Sequence, residues 1–320
     1  MNEPELQTSQ AVAGHHAVPE ISLSRQVMMF PLTRIILSLI MVLIPLLLVQ
    51  MGVRYAVASW GKPPALEVIA AVVISLAALA GYIAFVRWVE LRSAVEVSAS
   101  GAAVETMAGA GIGALLMAVS IGLIALFGGY TVTGTNDWSV LIKAFVISLI
   151  AGVGEEILFR GILFRITEES LGTWIALALS AVLFGLIHIV NPNATWFSSV
   201  AIALEAGILL GAAYMLTRKL WLAIGIHFGW NFTQGGIFGV AVSGTDSMKG
   251  VLQSQMNGAE WLTGGNFGAE ASVIALAVCT AAGVWMLIVA VRRGRLILPF
   301  WMRRTSPAVP QTQPELTTNN

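Results

Sequence analysis

Seven polar side chains stand in stretches of this sequence that are otherwise apolar, and their types and spacing could do chemistry. Glu155 and Glu156 are adjacent, with Arg160 four residues after Glu156. On a helix Glu156 and Arg160 share a face, with the acid N-terminal to the base, the favourable order for an ion pair. Glu155 points about 100° away and has no counter-ion along the helix. A carboxylate left unpaired away from water suits a general base, or invites a metal or an imidazole partner. His188 ends another apolar run, and His227 and Asn231 lie four apart in a third, on one helical face. Glu205, between Leu204 and Ala206, is a supporting carboxyl for the same group.

Each of these has a plainer reading by itself: a solvated charge at a membrane surface, or a hydrogen bond between helices. Together they are more telling. One carboxylate and two histidines (Glu155, His188 and His227) form the ligand set of a hydrolytic zinc site with one position left for water. Without metal, the same residues make a water activated by Glu and His, with a His/Asn oxyanion site. Both routes hydrolyse a peptide bond inside a membrane, and a divalent ion such as zinc and a metal-free glutamate mechanism are equally open.

The elements that must hold these residues follow from composition. Apolar residues make up 57% of 320 and charged ones 11%, with mean hydropathy +0.83. Soluble domains carry about 25% charge. A soluble enzyme, a nucleic-acid binder and a disordered chain are excluded; an all-α, polytopic transmembrane helix bundle is expected. Apolar runs long enough to cross a bilayer as helices lie near 32–53, 66–88, 107–130, 138–163, 172–190, 197–217, 220–241 and 271–291. About eight spans result. The parts are a disordered tail over 1–30, N-terminal transmembrane helices over 31–136, a catalytic core over 137–241, a Gly-rich segment over 242–270, a last transmembrane helix over 271–300 and a disordered tail over 301–320. The Gly-rich segment is a lid, a re-entrant piece or, by preference, an ordinary external loop. The His15–His16 pair lies in the first tail with nothing nearby to complete a metal shell. Cys279 is the one cysteine, so no disulfide can form within the chain.

With eight spans, 13 of the 17 lysines and arginines fall on one side, and only Arg54, Lys62, Lys143 and Lys249 on the other. The positive-inside rule then places both termini in the cytoplasm; a multi-pass protein of the plasma (inner) membrane is expected. Gly225 and Gly229 allow close approach of a helix or a substrate backbone, and Gly207 with Gly211 forms a packing face of small residues. No paired, broken segments recur in the two halves, which weighs against a proton-coupled transporter.

At these residues the chain resembles the CAAX protease and bacteriocin-processing (CPBP or Abi) family of intramembrane proteases. The family pattern, Glu-Glu-xxx-Arg, Phe-xxx-His and His-xxx-Asn on successive helices, reads here as Glu155, Glu156 and Arg160; Phe184 and His188; His227 and Asn231. The stretch 207–214 followed by Leu220 and Trp221 is similar as well. The resemblance covers about 140–240. It implies that Glu155 activates water with His188, that His227 and Asn231 bind the developing oxyanion, and that Glu156, Arg160 and Phe184 support them. The implied substrate is a membrane-associated protein or peptide. A prenylated CAAX substrate is not carried over, since nothing in this sequence indicates one. A non-catalytic scaffold or immunity protein on the same fold is the alternative. The span limits above leave the three charged positions at depths differing by up to about 13 Å, a gap that tilt or shifted helix ends must close.

Overall fold

The computed structural model describes residues 22–61, 63–245 and 249–303; His15, His16, Lys62, Asp246 and the tail from 304 lie outside them. Helix α1 (Leu23–Met29) is capped by Ser22, whose hydroxyl accepts from the Arg25 amide, so this part of the expected N-terminal tail is helical. Two long helices follow, α2 (Pro31–Trp60) and α3 (Pro64–Trp88), each opening on a proline whose missing N–H costs nothing in a first turn. Next come α4 (Ala102–Leu126) and strand β1 (Tyr130–Thr135).

The fourth crossing is longer than expected. It runs as α5 (Leu141–Glu156), a π-helical segment (Ile157–Phe164) and α6 (Arg165–Leu171) without a break. Gly172, at φ +80°, then reverses the chain into α7 (Thr173–Ile187), which ends in a short 3₁₀ turn from His188 to Val190. The sixth crossing is α8 (Trp196–Ile202), a π segment (Ala203–Gly207) and α9 (Ile208–Thr217); the seventh is α10 (Trp221–Asn231) with a π segment (Phe232–Ile237). After β2 (Leu252–Met256) and α11 (Glu260–Thr263) the chain ends its last crossing as α12 (Val273–Arg292). Six of these crossings are long and apolar enough to span a membrane by length and composition. The chain is an integral membrane protein built as a helix bundle. The remaining two crossings, 141–171 and 221–237, carry Glu155 and His227.

One end of the bundle is tied by ion pairs. Glu90 accepts from Arg34 Nε at 2.9 Å, Arg165 Nη2 at 3.0 Å and Arg92 Nε at 2.8 Å. Arg92 also pairs with Glu96, Arg165 with Glu169, Arg218 with Glu168 and Lys219 with Glu105. Burial disfavours charge on Glu90, but Arg165 and Arg34 outweigh it and hold its carboxyl below the usual range. Arg160, counted with this end from the sequence, is fully buried and belongs elsewhere.

Strands β1 and β2 pair antiparallel at the opposite end. The Gly-rich 242–270 segment, preferred as an external loop from the sequence, has structure of its own where it is described. It includes β2, and its residues 267–270 are packed into the bundle.

The glycines of α10 serve helix packing. An added methyl at Gly225 would run into the Thr106 carbonyl, and one at Gly229 into the Ala110 carbonyl, both on α4. Gly207 and Gly211 lie likewise against Ala181 and Leu177 of α7. Gly229→Ala should therefore lower stability by about 1–3 kcal/mol, read as an earlier melt in detergent; an unchanged melt would mean that the two helices have room to part.

Candidate active site

The expected mismatch in depth disappears because the fourth crossing continues to Leu171. Glu155 lies 17 residues before the turn at Gly172 and His188 lies 16 after it, so the two arms of this hairpin carry them to one level. Gly161 lies against the Leu220 side chain. From that common level Glu155 is six residues along its helix and His227 seven along its own.

The four proposed catalytic residues line one cavity of about 360 Å³, with Asn191, Ser243 and Thr245 at its margin. Glu155 Oε2 stands 4.0 Å from His188 Nε2 and 3.9 Å from His227 Nε2. The Glu155 side chain is 32% exposed, while Glu156 and Arg160 are 0% exposed. The stretch is therefore not a solvated interfacial run.

Partners on the far side of each ring fix its orientation. His188 Nδ1 lies 2.7 Å from the Phe184 carbonyl oxygen. A carbonyl only accepts, so Nδ1 carries the proton and Nε2 faces Glu155. His227 Nδ1 donates to Glu156 Oε1 at 3.0 Å. The same oxygen accepts from Arg160 Nη1 at 2.9 Å, which is the i,i+4 pair expected from the spacing. Arg160 also donates to the carbonyls of Ala206 and Gly207 at 3.1 and 3.2 Å. Its guanidinium lies 4.6 Å from the centre of the Phe184 ring. Phe184 in turn packs edge-on against Phe159 and touches both imidazoles. The π-helical turns at 157–164 and 203–207 flank this contact. Such turns widen a helix and expose carbonyls off the usual ladder, which here meet Arg160.

Glu205 is buried behind this group. It shares with His188, His227, Asn231, Cys279 and Glu270 a second cavity of about 30 Å³, room for one or two waters. Among the described residues no group hydrogen-bonds Glu205 Oε2. Sequence reading missed Glu270, Ser243 and Asn191. Glu270 was the most legible of these, a lone acid between Ala269 and Ala271 at the entrance of the last apolar run. Its carboxylate accepts from the Ser243 amide.

Burial pushes the Glu270 carboxyl up to about 7, against hydrogen bonds from Ser243 and Trp230 and the nearby His227. A carboxyl whose folded value lies above its ordinary one favours the fold while it is protonated. That contribution is fully present below about 4.5 and is lost as pH rises through about 7. The melting temperature should thus fall between about pH 4.5 and 7 and level off above that, and Glu270→Gln should flatten the slope. An equal slope in the variant would place the titration elsewhere.

The three possible metal donors, Glu155, His188 and His227, have suitable chemistry, since each imidazole presents Nε2 while Nδ1 is held by an oxygen. Their spacing is wider than the 3.3–3.4 Å or so between neighbouring ligands that tetrahedral zinc bonds of about 2.0–2.1 Å imply. Among the described residues no group of three or more His, Cys, Asp or Glu is placed to hold an ion.

Residues 137–233 match the family model described as Type II CAAX prenyl endopeptidase Rce1-like. The match bears out the resemblance read from the motifs, and an endopeptidase family supports an enzyme. It covers α5 to α10 with all of the motif residues; α1–α4 and the chain from 234 lie outside it. No curated protein and no solved structure matches the chain.

Proposed function

We propose that the protein is an intramembrane endopeptidase that cleaves a membrane-associated protein or peptide with a water held by Glu155 and His188. The observation that carries this reading is the approach of both Nε2 atoms to one Glu155 oxygen, at 3.9 and 4.0 Å, on a single cavity. A water in that gap donates one hydrogen to Glu155 and the other to His188 Nε2. Its oxygen lone pair is then aimed at a peptide carbonyl in the cavity. As the oxygen–carbon bond forms, the proton passes to Glu155, and the carbonyl electrons move onto oxygen. His227 and the Asn231 amide donate to that oxyanion. For His227 to do so both ring nitrogens carry protons, one bonded to Glu156 and one facing the cavity. The charges then balance, with Glu155 and Glu156 against Arg160 and His227. Glu155 next delivers its proton to the amide nitrogen, the carbon–nitrogen bond breaks, and an amine and a carboxylic acid leave.

Both imidazoles are oriented before substrate arrives, by the Phe184 carbonyl and the Glu156 carboxylate, which is the geometry this chemistry requires. The arginine-rich end and both termini lie in the cytoplasm, as the distribution of basic residues favours.

The test compares protein termini in membranes of cells carrying wild type or Glu155→Gln at matched expression. New termini present only with wild type support the reading and identify the substrate. Identical termini, with the cellular phenotype retained by Glu155→Gln, would overturn it in favour of a scaffold. Metal removal separates the two routes to the same reaction. Chelator should leave cleavage by the purified protein unchanged. Loss that zinc restores would make Glu155, His188 and His227 ligands, closing together around the ion.

A further inference from the structure

We propose that the groove between α2 and α3, in the half of the bundle at the arginine-rich end, is a binding site for one phospholipid, with an acyl chain laid along the groove and the phosphate on Arg87. The groove shares no lining residue with the cavity at Glu155, so the site stands whether or not the chain cleaves peptides.

Helix α3 packs on α2 and on α5. Ala77, Ala80 and Ala84 recur at helical spacing and line one wall of the groove, and Ile40, Ile44 and Pro45 of α2 line the other. The small side chains on α3 leave a furrow of about 880 Å³. Its floor follows from two residues. Pro45, inside α2, has no N–H, so the Met41 carbonyl four residues before it lacks its helical donor. That carbonyl lies against Gly81, where an added methyl would collide with it. The two backbones therefore meet at Gly81, and the furrow runs over that contact. Its α2 wall is open to the surroundings, with Ile40 46% and Ile44 52% exposed.

Length and charge both point to this occupant. Ala77 and Arg87 are ten residues apart, about 15 Å along a helix and half of the hydrocarbon core of about 30 Å. A second transmembrane helix would need a seam through both halves of the bilayer, whereas an acyl chain hanging from its headgroup needs one. The charge stands at the end where a headgroup belongs. Arg34, Arg92 and Arg165 are paired there with Glu90, and Arg25 donates to the Val89 carbonyl at 2.7 Å. Arg87 lines the groove and is exposed, and among the described residues it makes no hydrogen bond or ion pair. Its long side chain can hold the guanidinium at headgroup level, where the fork of donors fits phosphate oxygens. Trp88 beside it, 72% exposed, is the kind of ring that settles at the same level. On the orientation proposed above, this is the leaflet that carries the anionic lipids.

Native mass spectrometry of the full chain in detergent, titrated with phosphatidylglycerol, tests the site. Arg87→Gln should weaken binding of the first lipid about fivefold, the contribution expected of one arginine at an anionic surface. Ala80→Trp, which fills the furrow, should weaken it at least as much. Arg54→Gln removes an exposed arginine from the far part of α2 and should bind as wild type does. Diacylglycerol with the same chains lacks the phosphate and should not distinguish wild type from Arg87→Gln. In a bilayer, phosphatidylglycerol with a photoreactive chain should label 40–45 and 77–84 above the rest of the surface, and less in Arg87→Gln. Melting curves check folding, and Arg87→Gln, a change at an exposed side chain, keeps the test if Ala80→Trp misfolds. Equal binding of phosphatidylglycerol by wild type and Arg87→Gln, or diacylglycerol that tells the two apart, would overturn the role of Arg87. Labelling spread evenly over α2, α3, α4 and α12, or capture of a polypeptide by a photoreactive phenylalanine at position 80, would overturn the site.

Discussion

Glu155→Gln lowers cleavage by about 10²–10⁴-fold, the usual contribution of a positioned general base, and leaves the melting temperature close to that of wild type. The separation of the two effects is the point of the experiment. Glu155 makes no ion pair shorter than 3.9 Å, and its side chain is about one-third exposed into the cavity. The amide has almost the volume of the acid, so packing changes little. What it loses is the ability to take a proton from water. Turnover of purified protein on a substrate found from the terminus comparison measures the first effect, and a thermal melt in the same detergent the second. Cleavage within a few-fold of wild type would remove Glu155 from the chemistry, and a collapsed melt would make it a structural residue.

Arg160→Met destabilises the protein by about 3–5 kcal/mol, because it strands the Glu156 carboxylate in a fully buried position. It also removes the donors to the Ala206 and Gly207 carbonyls that tie the fourth crossing to the sixth. Adding Glu156→Leu should recover part of that loss, since no uncompensated charge remains, but cleavage should stay lost. The reason is the His227 ring. Its Nδ1 partner is Glu156 Oε1 at 3.0 Å, and an apolar side chain leaves the imidazole free to turn. A double-mutant cycle on melting temperature and turnover reads both quantities. Recovery of cleavage together with stability would show that Glu156 and Arg160 only brace the helix.

Much of the site was legible because it depends on short-range helical geometry. The Glu156–Arg160 pair follows from a spacing of four, and so does the shared face of His227 and Asn231. That Glu155 stands apart from this pair follows from the 100° step between neighbours. The basic end followed from where lysines and arginines fall, although Arg160 belongs to the interior. Other features were out of reach. The extent of the fourth crossing was misread because Arg165, Glu168 and Glu169 look like a membrane-surface stop. In the fold Arg165 meets Glu90 and Glu169, and Glu168 meets Arg218, so the helix continues two more turns. The 242–270 segment has no periodicity to read, and its strand pairs with partners up to 126 residues away in β1.

By itself, then, the sequence determined that this is a helical membrane protein with a carboxylate, two imidazoles and an amide on three apolar helices. Composition and periodicity suffice for that, because lipid leaves a chain few ways to satisfy its backbone. Only the tertiary structure decided that these groups meet. Their meeting depends on the helix ends, on the turn at Gly172 that mirrors Glu155 onto His188, and on the glycines that let α4 and α10 touch. These are relations between helices, set by which surfaces pack and which do not, and a spacing rule along one chain carries no information about them.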